Sequence, residues 1–335
     1  MTSKYIATPY TESCYARFEQ HFNQMNYGMA YQAFIEALQA QPLAAYPYFA
    51  TRASAQLVSV VRTTNSIESL SRWLDALLPE NPNMHLMYYG DPEITQKVID
   101  LREENIAKGL PSVMLITQGK SGSISVGNIF NSGFNLPSFA YSFGEYKVIP
   151  SWINDFARGG SCYTTHLTPS EENIELIKAS GIQKIIVHVR DPRQAIISMI
   201  HHRQSYPEQA PEISGSDFRE KDISDQLQTV SNNYTDYIDW ISGWVNASKI
   251  LPIHFSAFNN LANEPEKFVQ GYVDFYGVSR EHFSLQDAIT QHAGTDYHMR
   301  KGATDEWREV MPEKWQKLFS LMLPGHIKQK FNWPD

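Results

Sequence analysis

The chain has 335 residues, 42% hydrophobic and 19% charged, a composition that builds a packed core and excludes a disordered chain. Its length allows one large domain or two unequal ones. A net charge of −8 argues against a duplex nucleic-acid partner, which needs a basic face, yet leaves room for an anionic ligand held by a few placed Lys and Arg side chains.

The chain opens without a basic n-region followed by an apolar stretch, so no signal peptide is expected. No apolar run approaches the ~20 residues of a membrane helix. Cys14 and Cys162 lie far apart with neither CxxC nor zinc-type spacing, which predicts no disulfide framework and a reducing, cytoplasmic setting. Asn233-Tyr234-Thr235 and Asn246-Ala247-Ser248 match the glycosylation sequon; without a secretory signal they read as chance matches.

From about residue 17 to 108 the pattern is helical. Tyr31, Phe34, Ile35 and Leu38 share one helix face. Asn65 and Glu68 have capping-box spacing before Leu70, Leu74 and Leu77. Asp91-Pro92-Glu93 sets a cap residue, a first-turn proline and an acid at the head of a helix through Ile94, Val98 and Leu101, which Gly109 ends. No fixed period marks a repeat array. Residues 1–109 therefore read as an N-terminal helical extension.

At Pro111 the pattern changes. Short apolar runs at 112–117, 184–189 and 250–255, with a further strand at 161–165, alternate with helical stretches. This predicts an α/β domain over 110–335, with a central parallel sheet covered by helices on both faces. Ligands of such sheets sit at the carboxyl ends of strands. Stretches 207–216 and 263–265 read as loops.

Two strand ends carry chemistry. Gly119-Lys120-Ser121-Gly122-Ser123-Ile124-Ser125 follows the first strand and leads into a helix. Glycines let the backbone turn so that successive N–H groups converge on one anion, the helix N-terminus adds partial positive charge, and Lys120 adds a full one. An ordinary polar turn is the other reading. A nucleotide P-loop, GxxxxGK[ST], fits only in part, because Met114 stands where its first glycine belongs. At the third strand, Arg190 offers a planar fork suited to phosphate, and Ser198, eight positions on, falls within the following helix. Taken alone, an Arg here is more often a surface ion-pair residue.

Together these segments resemble the sulfotransferase family. Lys120-Ser121-Gly122-Ser123 is similar to the start of its 5′-phosphosulfate loop, Arg190 and Ser198 keep the spacing of its 3′-phosphate motif, and Arg300-Lys301-Gly302 with Trp307 resembles its C-terminal element. Thr164-Thr165-His166-Leu167 partly matches its Lys-Thr-His-Leu. The resemblance covers roughly residues 110–330 and implies a P-loop-like fold that binds 3′-phosphoadenosine 5′-phosphosulfate (PAPS). It implies that Lys120, Ser121, Gly122, Ser123, Ile124 and Ser125 hold the 5′ end. Arg190, Ser198, Arg300, Lys301 and Gly302 would hold the 3′-phosphate, with His166 as base and Glu145, in Phe143-Gly144-Glu145-Tyr146, as the alternative base.

The chain departs from the family in several places. Ile124 and Ser125 replace the usual Thr and Trp after the loop glycine, which removes one adenine stack. Phe255 stands where a strand-end Tyr is common and is the candidate to serve instead. Thr164 replaces a Lys. The dimer motif KxxxTVxxxE is not evident, so oligomeric state stays open. No metal is expected: the adjacent His201 and His202 diverge on a helix, and His292 and His298 lack ligand spacing. Trp240 and Trp244, four apart, read as core.

The implied reaction is in-line transfer of a sulfuryl group to a small-molecule or carrier-bound acceptor, with its hydroxyl the expected nucleophile. The rivals are an ATP-dependent P-loop kinase and a nucleotide-binding interaction protein without turnover.

Overall fold

A computed structural model describes residues 8–24, 26–40, 92–138, 148, 150–205, 216–284, 286–287 and 302–335. The chain divides into two compact units, residues 1–110 with 137–161, and residues 111–136 with 162–335. The capping box at Asn65 and Glu68, the Asp91 cap, Glu145, His292, His298, Arg300 and Lys301 lie outside the described residues.

The first unit contains α1 (Pro9–Asn23), α2 (Tyr27–Ala40), α3 (Pro92–Ala107) and α4 (Pro150–Phe156). Thr8 caps α1, accepting from the N–H of Thr11, and Gly109, at φ 73°, takes the left-handed turn that stops α3. The sequence reading assigns 137–161 to the α/β domain; in the structure these residues group with the N-terminal part. One reason is Arg102, fully buried on α3, which pairs with Asp155 at 2.9 Å and donates to the carbonyls of Asp155 and Gly159.

The second unit is a four-stranded, wholly parallel sheet in the order β2-β1-β3-β4. Its strands are β1 (Val113–Ile116), β2 (Cys162–Thr165), β3 (Ile185–Val189) and β4 (Ile253–Ala257). β1 and β3 are buried along their whole length, as the apolar runs require for a sheet covered on both faces. The helices are α5 (Ser123–Gly133), α6 (Glu171–Ala179), α7 (Pro192–Ser205), α8 (Ser216–Glu220), α9 (Ile223–Ala247), α10 (Phe258–Asn263), α11 (Pro265–Tyr276), α12 (Trp307–Val310), α13 (Glu313–Met322) and α14 (Gly325–Phe331). Among the described residues no helix is long and apolar enough to cross a membrane.

Two boundaries differ from the sequence reading. The loop helix begins at Ser123, so the anion loop runs directly into it. The fourth strand begins at Ile253 rather than 250, because Ile250 and Leu251 both donate to the carbonyl of Ala247 and still close the end of α9. Ile250 is accordingly exposed. The later start also moves Phe255 to mid-strand.

The first turn of α7 anchors the C-terminal segment to the sheet. Arg193 is fully buried, forks onto both oxygens of Asp191 at 3.0 and 2.7 Å, and donates to Ser320 Oγ and the Pro334 carbonyl. Its guanidinium lies 4.1 Å from the centre of the Trp307 ring. The next residue, Gln194, accepts from the Trp307 N–H at 3.1 Å. Removing one partner of a buried pair leaves the other charge desolvated and unpaired. Asp191→Ala should therefore cost about 3–5 kcal/mol, read as a lower urea midpoint, whereas truncating the exposed pair Lys317–Glu313 should leave the midpoint nearly unchanged.

Candidate active site

The loop between β1 and α5 has an unusual backbone. Lys120 adopts φ 68° and Gly122 φ 96°, the left-handed region where side chains are rarely found. A turn at Ser121, whose N–H and hydroxyl both bond the Gln118 carbonyl, separates them. Gly122 is the N-cap of α5 and contributes no side-chain cap, so the first N–H groups of this helix, which have no partner within it, are presented at the end of β1. Gly122 is also required sterically: a Cβ there would lie 2.8 Å from Phe258 Cδ2.

Arg190, one residue beyond β3, joins this loop to the C-terminal segment. One guanidinium nitrogen donates to the Lys120 carbonyl at 3.0 Å and another to the Ala303 carbonyl at 2.6 Å. The Phe258 ring lies beneath it, 4.3 Å from the guanidinium carbon. Its backbone N–H donates to the Tyr237 hydroxyl of α9 at 2.9 Å. Gly302, half-buried at φ 64°, precedes Ala303, so Arg190 bonds both the loop and the residue that follows Gly302. Burial, and then the proximity of Arg190, lower the pKa of Lys120.

His166 follows β2. Its Nδ1 lies 3.0 Å from the Thr117 carbonyl and 3.1 Å from Thr117 Oγ1. Thr117 is itself paired to Thr165 across the β1–β2 ladder. Trp240 and Trp244, both buried in α9, donate to the carbonyl of Leu167 at 2.7 and 3.3 Å. They are core residues, as the sequence suggests, and they also fix the backbone immediately after His166.

The remaining candidates are distributed as follows. Ser121 and Ser125 are buried, Ser123 is half-buried and Ile124 is exposed on the first turn of α5. Ser198 is half-buried in the second turn of α7. Thr164 lies against α5, its Oγ1 3.0 Å from where a Cβ on Gly127 would be. Phe255 is not at the loop: its ring meets Phe331 and has the Lys330 ammonium 4.5 Å above it. Alternation along β4 puts Phe255 and Ser256 on opposite faces, and Ser256 bonds His188 on the loop side. The aromatic beside the loop is instead Phe258, which the sequence reading misses. A further missed group is His188, a polar residue in an otherwise apolar strand, fully buried beneath the loop.

A sulfotransferase domain model matches residues 110–323. The chain belongs to the sulfotransferase family. No curated protein sequence matches the chain significantly. Among solved structures, the chain is similar to mouse sulfotransferase SULT7A1 complexed with PAP, at 15% identity over 70% of this chain and 94% of that one, with a TM-score of 0.49.

The loop geometry gives a direct test. Gly122→Ala adds a methyl in a left-handed conformation and forces Phe258 off the Arg190 guanidinium. It should destabilise the protein by about 1–3 kcal/mol in urea unfolding. Gly119→Ala meets open space and should stay within about 0.5 kcal/mol of the parent.

Proposed function

We propose that this sulfotransferase takes its sulfuryl group from PAPS and delivers it to a hydroxyl on a small-molecule or carrier-bound acceptor by in-line displacement. The observation that carries this reading is Arg190, whose guanidinium bridges the carbonyls of Lys120 and Ala303 and so assembles a loop suited to one anion beside a cation suited to another.

The donor set fits such a molecule. Lys120, the N–H groups opening α5 and the space left by the missing Cβ of Gly122 suit the 5′ end. Arg190 suits the 3′-phosphate, with Gly302 beside it. Ser198, Arg300 and Lys301 are proposed to complete that half. When bound, PAPS supplies a sulfuryl group on a phosphate leaving group. Lys120 then faces the charge that grows on the bridging oxygen, where a half-buried ammonium is worth more than it is in water.

His166 is proposed as the base. The Thr117 carbonyl can only accept, so Nδ1 carries the proton, and Nε2 is left with the lone pair that takes a proton from the acceptor hydroxyl. Thr117 and the two tryptophans hold the ring and its backbone in that orientation. Cys14 and Cys162 are both buried free thiols, in keeping with a reducing compartment, and a cytoplasmic location is part of this reading.

In a thermal-shift series, adenosine 3′,5′-bisphosphate should raise the midpoint by mass action well beyond ATP with Mg²⁺. An equal or larger shift with ATP would overturn the assignment in favour of a kinase. His166→Ala should lower kcat by about 10²–10⁴-fold with bisphosphate affinity nearly unchanged. Near-normal turnover in that variant, together with loss of activity in Glu145→Ala, would move the base to Glu145.

A further inference from the structure

β3 reads Ile185-Ile186-Val187-His188-Val189, and all five residues are buried. An aliphatic side chain at 188 would continue the pattern. A buried polar ring in its place costs free energy unless it is hydrogen-bonded, and His188 is bonded at both nitrogens. Nε2 lies 3.1 Å from the Ser121 carbonyl and Nδ1 2.9 Å from Ser256 Oγ, its direct partner on β4. A carbonyl only accepts, so the proton sits on Nε2, and Nδ1 accepts from the Ser256 hydroxyl. The Phe268 ring meets the imidazole edge-on at 5.9 Å and limits its rotation.

This bond has a consequence for the loop. The Ser121 carbonyl and the Gly122 N–H belong to one trans peptide, in which the two groups point in opposite directions. A carbonyl drawn down onto His188 therefore turns the Gly122 N–H up, away from the sheet and out at the head of α5. A flipped peptide would instead present a carbonyl oxygen to any anion bound there. The Gly122 conformation, at φ 96°, is open to glycine in many alternatives, so something outside the loop has to select one.

We propose that His188, oriented by Ser256, is a positioning residue that locks the Ser121–Gly122 peptide so that the loop presents N–H groups to the 5′ anionic end of the donor. This rests on the reading of the 119–125 loop as the 5′ cradle. Burial, opposed in part by the Ser121 bond, lowers the pKa of His188 to about 3, so the ring is neutral and the bond pattern constant at physiological pH.

Calorimetric titration with adenosine 3′,5′-bisphosphate and with adenosine 3′-monophosphate tests this, because the ratio of the two affinities isolates the 5′-phosphate. His188→Leu fills the space without a donor and should cut that ratio about tenfold, leaving 3′-monophosphate binding unchanged. His188→Gln keeps an amide N–H within reach of Ser121 and should restore most of the ratio. An unchanged ratio in His188→Leu, a parallel loss of both ligands, or a Gln variant no better than Leu would each overturn the proposal and leave His188 a core residue. Should His188→Leu fail to fold, Ser256→Ala releases the ring and decides in its place: a reduced ratio supports the lock and an unchanged one overturns it. Absence of any preference for the bisphosphate in the parent protein would instead refute the 5′-cradle reading itself, and the proposal with it.

Discussion

Arg190 is the joint on which the site depends. It stands one residue past the central strand β3, where a parallel sheet has no further ladder bonds to make, and its side chain takes over the role of a ladder between segments distant in sequence. It binds the carbonyl of a loop seventy residues earlier and that of a segment more than a hundred residues later. One planar fork bonds both, with the Phe258 ring beneath it, while the Arg190 backbone N–H donates to the Tyr237 hydroxyl. Lysine could not substitute, since a single ammonium lacks the rigid pair of donors that holds two carbonyls at a defined separation.

The second requirement is that the C-terminal segment reach this arginine in a fixed register. The first turn of α7 provides it. Arg193 and Gln194 grip Trp307 from its ring and its N–H respectively, and Asp191 neutralises Arg193 in the dry interior. The short stretch 190–194 thus combines the proposed ligand contact with architecture. Arg190 bonds the Ala303 carbonyl, while Asp191, Arg193 and Gln194 hold the chain that carries Ala303 and Gly302.

Much of this was legible beforehand. Apolar runs such as 184–189 reveal buried parallel strands because hydrophobic continuity is a local property, and the motifs at the ends of β1 and β3 follow from chain order alone. What stayed hidden depends on tertiary register. The end of α9 competes with β4 for residues 250 and 251, and their hydrogen bonds to Ala247 decide it. That slip puts Phe255 mid-strand, with its ring against Phe331. His188 left a trace, a lone polar residue in KIIVHV, but its meaning requires knowing that Ser256 pairs with it and that the 121 carbonyl folds back over it. The assignment of 137–161 to the N-terminal unit depends on Arg102, whose partners lie more than fifty positions away.

The electrostatics explain why an acidic protein carries such a site. Lys120 and Arg190 are held close in a partly desolvated corner, and both effects work against the charged form of Lys120. Like charges kept near one another in a medium of reduced dielectric cost stability, and the left-handed backbone at Lys120 adds strain of its own. Neither expense is explained by packing, since a neutral residue in a relaxed conformation would serve the core better. Strain and crowded charge of this kind persist where a ligand recovers them. An anion between the two cations replaces their repulsion with attraction to both. The net charge of −8 acts at long range only, where salt screens it beyond ~8–10 Å, so it does not oppose an anion held, as proposed, at contact distance by the two cations and the N–H groups of the loop.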